Sequence, residues 1–104
     1  MNKRKTHESV RKLYQAFLTI QSEEECRSFL RDLMTEQEIE TFASRLYAAE
    51  HLLKDDMSYR DISKETGIST TTITRINYWL EHGMGAFEVV LNRLNSSAKG
   101  KHHR

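Results

Sequence analysis

Short polar side chains crowd one stretch of the chain, and their hydrogen-bonding groups could do recognition chemistry. Five of them fall within six residues: Thr70, Thr71, Thr72, Thr74 and Arg75. Hydroxyl groups donate and accept hydrogen bonds, and a guanidinium group pairs well with phosphate. If these residues lie at the start of one helix, they could contact base edges and phosphates in a DNA major groove.

The residues around this stretch predict two short helices joined by a tight turn. Ser58 is expected to cap a first helix, with Asp61 in its first turn, because a serine oxygen accepts from free N–H groups there. Gly67 suits the end of that helix, where the chain must turn through a left-handed conformation. Ser69 can cap a second helix that carries the threonines. The pattern favours a helix-turn-helix over residues 58–81.

An ordinary corner between two helices is the alternative interpretation of this stretch. Threonines at a helix start also serve as capping residues, with no ligand involved. The glycine, the two caps and the apolar Ile62, Ile68 and Ile73 at the corner favour the helix-turn-helix, and the chain upstream adds to that preference.

Catalytic and metal-binding patterns have no support in the sequence. The five histidines lack the spacing of metal ligands, and the glutamates from Glu23 to Glu40 lie at expected helix starts, where negative charge stabilises the helix dipole. No phosphate loop or nucleophile motif occurs, so we expect a protein that is not an enzyme and has no cofactor. Cys26 is the only cysteine and lies at a core spacing, which indicates a packed thiol in a reducing cytoplasm.

The near-zero net charge of +1 hides a separation of charge along the chain. Residues 1–12 hold five Lys or Arg against one acid, and residues 93–104 hold four against none. The stretch between them carries 7 basic and 14 acidic residues. Basic ends can act as arms that contact phosphates, or they can be solubilising tails, and the sequence leaves both interpretations open.

Apolar residues recur at helical spacing along nearly the whole chain, and no stretch is long and apolar enough to predict a membrane span. We therefore expect a soluble, all-α single domain of 104 residues with about six helices. The expected helices cover residues 8–20, 22–33, 35–55, 58–65, 69–81 and 84–94, with flexible ends at 1–7 and 95–104. The wide apolar faces of the first three helices suggest an intertwined homodimer, whose two-fold symmetry would suit a palindromic site.

From Leu33 to Leu80 the chain resembles the tryptophan repressor superfamily without gaps. The segment MTEQEIETFASRLYAAEHLLKDDMSYRDISKETGISTTTITR shares that family's Thr-capped long helix, acidic Met-Ser hinge, glycine turn and Ile-Thr-Arg recognition helix. Within the superfamily the sequence is most similar to the branch called YerC/YecD. The resemblance also implies how a helix-turn-helix dimer of this chain would dock on DNA.

The resemblance implies which residues would bind double-stranded DNA. The positions that match the family's DNA contacts are Tyr59, Arg60, Ser63, Thr70, Thr71, Thr72, Thr74 and Arg75. Tyr59 and Arg60 would contact phosphates. Thr70 to Thr72 would approach base edges, directly or through water.

The resemblance also implies a small-molecule pocket, and here the chain departs from the family. Thr35 and the two arginines that would flank a bound tryptophan, Arg45 and Arg75, are present. Ile76 and Trp79 replace a glycine and a serine of the repressor, and both add bulk. We therefore predict an altered pocket that is filled from within and a protein that tryptophan does not control.

Two functions remain open at the level of sequence. The first is a sequence-specific, DNA-binding transcriptional regulator that inserts the helix from Ser69 into the major groove as a dimer. The alternative is a helical protein–protein interaction module that docks on transcription machinery. The charge of the expected DNA face is only slightly positive, since it carries three basic residues against Asp61 and Glu65.

Overall fold

Six α-helices make up the part of the chain that the computed structural model describes, and no strand occurs there. The structure describes residues 1–102, with side chains through residue 97. The helices are α1 (Lys3–Leu18), α2 (Glu23–Leu33), α3 (Glu36–Lys54), α4 (Tyr59–Thr66), α5 (Thr70–His82) and α6 (Ala86–His102). The predicted all-α class with about six helices is confirmed.

The chain divides into two compact units, Met1–Ile39 and the residues from Glu40 onward. The boundary falls within α3, so that helix begins in the first unit and continues in the second. The single domain that the length of the chain predicts stays a prediction.

Local capping defines the helices of the first unit. The side chain of Asn2 accepts from the Lys5 N–H at 2.9 Å and starts α1. Thr35 and Glu38 form a complete capping box before α3: the Glu38 N–H donates to Thr35 Oγ1 at 3.1 Å, and the Thr35 N–H donates to Glu38 Oε1 at 2.9 Å. These bonds satisfy N–H groups that a helix start would otherwise leave free.

The helices of the first unit keep much of their apolar surface exposed. The rings of Phe17 and Phe29 pack edge to face with centroids 5.6 Å apart. Even so, Tyr14 is 64% exposed and Leu18 is 85% exposed. No residue of α1 or α2 is fully buried. Such a unit has little core of its own.

A small, dense core holds the second unit together. It consists of Ala48, Ala49, Ile62, Ile73, Ile76 and Leu91, each of them 4% exposed or less. Leu52, Met57, Ile68, Leu80 and Phe87 pack partly buried against this cluster. Alanines on α3 let the isoleucines of α4 and α5 approach closely, and each buried isoleucine contributes about 1.5–3 kcal/mol of hydrophobic stabilisation. The core therefore fixes α4 and α5, which carry the polar stretch.

The outer ends of two helices differ from the predicted bounds. Helix α1 begins at Lys3 and ends at Leu18, where the sequence predicted residues 8–20, because Asn2 supplies a cap and helix elongation needs no apolar stripe. Helix α6 begins at Ala86 and continues to His102, where the sequence predicted 84–94 with a flexible end. The part of that prediction that concerns residues 103 and 104 lies outside the described residues.

Candidate nucleic-acid interface

Two side-chain contacts from α3 hold the connection between α3 and α4. Asp55 follows α3 in a left-handed conformation with φ 53°, which aspartate tolerates better than most residues. His51 Nδ1 lies 2.8 Å from Asp56 Oδ1, and the Tyr47 hydroxyl donates to Met57 Sδ at 3.7 Å. The hydrogen bond with His51 lowers the pKa of Asp56 from its ordinary value. These contacts set where the chain enters α4.

Helix α4 starts at the serine that the sequence predicted as its cap. The Ser58 hydroxyl oxygen accepts from the Asp61 N–H at 3.1 Å. Asp61 lies in the first turn, where a carboxylate interacts favourably with the helix dipole. Ile62 is fully buried and attaches the helix to the core.

Four hydrogen bonds build the turn between α4 and α5. Gly67 has φ 78°, and its N–H donates to the Ser63 carbonyl at 2.8 Å. The Ser63 hydroxyl donates to the Ile68 carbonyl at 2.6 Å. Thr66 Oγ1 donates to the Ile62 carbonyl at 2.7 Å and accepts from the Ile68 N–H at 3.1 Å. The turn therefore uses its own side chains to satisfy the end of α4, and Ser63 belongs to this turn.

Helix α5 begins with a cap that engages one of its threonines. The Ser69 hydroxyl oxygen accepts from the Thr72 N–H at 3.1 Å, and the Ser69 O–H donates to Thr72 Oγ1 at 3.1 Å. Thr74 donates to the Thr70 carbonyl at 2.9 Å, one turn back. Ile73 and Ile76 are fully buried on the opposite side of the helix. Core packing thus determines which threonines face outward.

The predicted DNA-contacting residues differ in how accessible they are. Six are exposed, Tyr59, Arg60, Thr70, Thr71, Thr74 and Arg75, whereas Ser63 and Thr72 are partly buried. The two partly buried hydroxyl groups already take part in hydrogen bonds of the turn and the cap. The exposed set lies on the two helices that pack directly against each other through the core.

The charged groups of this surface are available to a partner. Within the described residues, neither Arg60 nor Arg75 forms an ion pair with a carboxylate, and the same holds for Lys64. An unpaired exposed guanidinium group can bind phosphate without first breaking an internal ion pair. Two arginines on adjacent helices therefore offer phosphate contacts beside the threonines.

The residues of the predicted effector pocket occupy different surroundings. Ile76 is fully buried in the core, and Arg75 is exposed. Arg45 is partly buried, with its guanidinium carbon 5.6 Å from the centroid of the Phe42 ring. Thr35, in the first unit, is the cap of α3.

The sequence interpretation expects the ring of Trp79 to fill the altered effector pocket, and this stays a prediction. The side chain is 40% exposed and forms one wall of a cleft at the junction of α5 and α6. The closed effector pocket remains a prediction.

The structure adds functional candidates that the sequence reasoning missed. The His51–Asp56 contact joins residues on either side of a left-handed residue, so helical spacing could not indicate it. The cleft beside Trp79 is also new, and the only signal for it was the pair of glycines at 83 and 85. Over the described residues no group of His, Cys, Asp or Glu is placed to hold a metal ion, and no helix there has the length and apolarity to cross a membrane.

Comparisons with known proteins identify relatives of this chain. Residues 8–95 match the family profile described as Trp repressor protein. The uncharacterized protein YerC of Bacillus subtilis is 38% identical over 85 residues, which cover 82% of this chain and 81% of that protein.

Two solved structures share the fold. A TrpR-like protein from Eubacterium eligens has a TM-score of 0.78 and 33% identity, covering 90% of this chain and 96% of that one. A Trp repressor candidate from Staphylococcus aureus has a TM-score of 0.76 and 32% identity, covering 91% and 96%. The chain therefore belongs to the Trp repressor family, with similarity to its YerC-type branch, and this is a family of regulatory proteins rather than enzymes.

Proposed function

We propose that this protein is a sequence-specific DNA-binding transcriptional regulator. In this proposal α5 enters the major groove with its N-terminal end first, so that Thr70, Thr71 and Thr74 approach base edges. Arg60, Arg75 and Tyr59 contact phosphates on either side and fix the register. The protein would act in the cytoplasm, where bacterial DNA lies.

The observation that carries the proposal is the combination of burial and exposure on α5. Ile73 and Ile76 are fully buried, so the helix cannot rotate without exposing them to water. Thr70, Thr71 and Arg75 are thereby kept on the outer surface, and Arg75 has no ion pair within the described part of the chain. Recognition by a preformed surface avoids the entropy cost of ordering it on binding.

A homodimer is part of the proposal. The exposed apolar side chains of α1 and α2, among them Tyr14, Leu18 and Leu33, need a partner surface. A two-fold dimer would present two copies of α5 about one DNA turn apart, roughly 34 Å, to a palindromic operator. The family to which the chain belongs supports this arrangement.

We further propose that tryptophan does not control this DNA binding. Ile76 is packed in the core at the position where the resemblance places a glycine, so the floor of the expected pocket carries additional bulk. Arg45 faces the Phe42 ring. Binding of L-tryptophan with micromolar affinity in a calorimeter would contradict this part of the proposal.

A selection from a pool of random DNA tests the function directly. The purified protein should enrich one palindromic motif, equally with and without tryptophan, and its affinity should fall steeply as salt rises because phosphate contacts release counterions. No enrichment over random DNA, under conditions in which the protein is folded, would reject the regulator. The alternative of a module that docks on transcription machinery would then take its place.

A matched pair of variants links the selection to the proposed surface. Arg75→Ala removes an exposed guanidinium group of α5 that has no ion pair within the described residues. Arg27→Ala removes an exposed guanidinium group of α2 that lies 3.9 Å from the Glu23 carboxylate. We expect loss of DNA binding for the first variant only. Equal binding by both variants would mean that α5 is not the DNA-contacting helix.

A further inference from the structure

A row of basic side chains runs along the first three turns of α1. Lys3, His7 and Arg11 follow one another at intervals of four residues, which places them on one face over about 12 Å of helix. All three are exposed, and neither Lys3 nor Arg11 forms an ion pair within the described residues. These three residues are called the basic row below.

The one acidic residue of this segment is engaged by other cations. Glu8 is the only acid among residues 1–12, and it borders the same shallow depression as Lys3 and His7. Its carboxylate oxygens lie 3.6 Å from Arg4 Nε and 3.9 Å from Lys5 Nζ. These ion pairs offset charge beside the basic row and leave the charges of the row itself available to another molecule.

Helix formation does not explain the basic residues at the start of α1. A cation in the first turn interacts unfavourably with the helix dipole, and the first turn of α1 contains Lys3, Arg4 and Lys5 and no acid. The first turns of α2, α3 and α4 all contain acidic residues. The basic row therefore costs the helix some stability, and a contact outside the helix would offset that cost.

The charge of the rest of the chain indicates which partner the row fits. Residues 13–92 contain 7 basic and 14 acidic residues, a net charge of −7. On α4 and α5, Arg60, Lys64 and Arg75 face a DNA duplex together with Asp61 and Glu65 in the proposed function. Neutralising phosphates and releasing their counterions supplies much of the affinity of a DNA-binding protein. The two helices can read a site, but their charge alone attracts a duplex weakly.

We propose that the basic row of α1 binds phosphates of the same DNA duplex that α5 reads. The inference rests on the proposed function and adds a second contact surface to it. Lys3 and Arg11 each neutralise a phosphate, and His7 donates a hydrogen bond to a phosphate oxygen. Contacts to phosphates carry no sequence information, so the row increases affinity and leaves the choice of motif to α5.

The salt dependence of DNA binding tests this assignment. Lys3→Gln/Arg11→Gln removes two charges from the basic row, and Lys5→Gln/Lys12→Gln removes two from the opposite face of the same helix. The affinity of each full-length protein is measured for the selected operator and for a random duplex at several salt concentrations. Each phosphate contact contributes about 0.9 to the slope of log affinity against log salt. We expect the slope to fall by about 2 on both duplexes for the first variant, by less than half of that for the second, and the selected motif to stay the same.

A charge-conserving variant provides the second control. Lys3→Arg/Arg11→Lys should retain the slope of the unmodified protein, and thermal unfolding checks that every variant folds. If Lys3→Gln/Arg11→Gln had the slope of the unmodified protein while Arg75→Ala still abolished binding, the basic row would be wrong and the proposed function would stand. An unmodified protein that bound no DNA would overturn both.

A second copy of the chain is the other partner that the row could contact. Tyr14 and Leu18 lie further along the same face of α1 and are exposed. Sedimentation equilibrium distinguishes this partner from DNA. We expect the self-association of Lys3→Gln/Arg11→Gln to equal that of the unmodified protein. Weaker self-association of this variant would assign the row to contacts between copies and would overturn the proposal.

Discussion

Individual hydroxyl groups of the polar stretch have different tasks, although they are alike in the sequence. Thr71 is exposed, and none of the described residues forms a hydrogen bond with its side chain. Thr72 is partly buried and accepts from Ser69 at 3.1 Å. Sequence alone ranked the two together, because capping and recognition both favour threonine at a helix start. Their separation depends on how the core orients α5.

We expect Thr71→Ala and Arg60→Ala to separate sequence reading from general affinity. Loss of the Thr71 side chain should relax the preferred motif, with a loss of discrimination on the order of 1 kcal/mol and a stability change within about 0.5 kcal/mol. Arg60→Ala should weaken binding to operator and random DNA alike. Thr72→Ala, unlike Thr71→Ala, should lower the free energy of unfolding by about 0.5–1.5 kcal/mol, because it removes a hydrogen bond of the cap.

Competition binding with operator and random duplexes, together with urea unfolding of each variant, checks these expectations. If Thr71→Ala reduced both affinities by the same factor, the assignment of Thr71 to base recognition would be wrong.

The Asp56 carboxylate is expected to make the junction of α3 and α4 sensitive to acid. The hydrogen bond with His51 lowers the folded-state pKa of Asp56. At a given pH near that pKa, the carboxyl group therefore binds fewer protons in the folded protein than in the unfolded protein. Its contribution to stability is therefore complete above the ordinary pKa of 3.8 and is lost as the pH falls through the lower folded-state pKa. Asp56→Asn should be less stable than the unmodified chain near neutral pH, and the difference should shrink toward pH 3.

Thermal unfolding between pH 3 and pH 7 measures this difference. Asp32→Asn, at an exposed position of α2 without an ion pair within the described residues, serves as the control. A difference for Asp56→Asn that stayed constant over this range would show that the carboxylate charge is not what matters.

At the scale of the elements, the turn between α4 and α5 shows why local signals were readable. Ser58, Gly67 and Ser69 act through backbone groups at most four residues away, so their types and spacing were sufficient to predict the caps. The ends of α1 and α6 could not be placed in the same way. Before Val10 in α1 and after Leu94 in α6 the sequence carries no apolar periodicity, although both helices extend there.

Contacts between elements were less predictable from the sequence than the helix caps. The burial of Ile73 and Ile76 follows from their spacing on one face of α5. Trp79 lies three residues beyond Ile76 and is 40% exposed, and α5 ends shortly after it at Gly83. The sequence indicated the glycine and not the direction of the turn, so the fate of the Trp79 ring required the structure.

Gly67 provides a test of the helix-turn-helix at this scale. Its φ of 78° strains any residue with a side chain, while a Cβ atom there would meet nothing within 4 Å. Gly67→Ala should therefore lower the free energy of unfolding by about 1–2 kcal/mol through backbone conformation alone. Gly67→Asn should cost less, because asparagine tolerates the left-handed region. Equal destabilisation of the two variants in urea unfolding would indicate that crowding, and not backbone conformation, requires the glycine.

At the scale of the whole molecule, buried apolar surface is distributed unevenly between the two units. The second unit has a closed core, whereas no residue of α1 or α2 in the first unit is fully buried. Hydrophobic surface of this extent on two neighbouring helices is typical of an obligate interface. The sequence predicted a shared core from the same residues, through the width of their apolar stripes.

Leu18 allows the proposed dimer to be tested with little risk to the folded chain. It is 85% exposed, so replacement by glutamate should cost the isolated chain little, yet a charge buried at an interface without a partner is strongly unfavourable. We expect Leu18→Glu to weaken self-association at least tenfold, equal to about 1.4 kcal/mol, as measured by sedimentation equilibrium. Gln15→Glu adds the same charge at an exposed polar position of α1 and should leave association unchanged. A Leu18→Glu protein that remained as dimeric as the Gln15→Glu control would mean that the face of α1 is not part of the interface.

If Leu18→Glu becomes monomeric, it should also lose its preference for palindromic over half-site DNA, because one copy of α5 can read only one half-site.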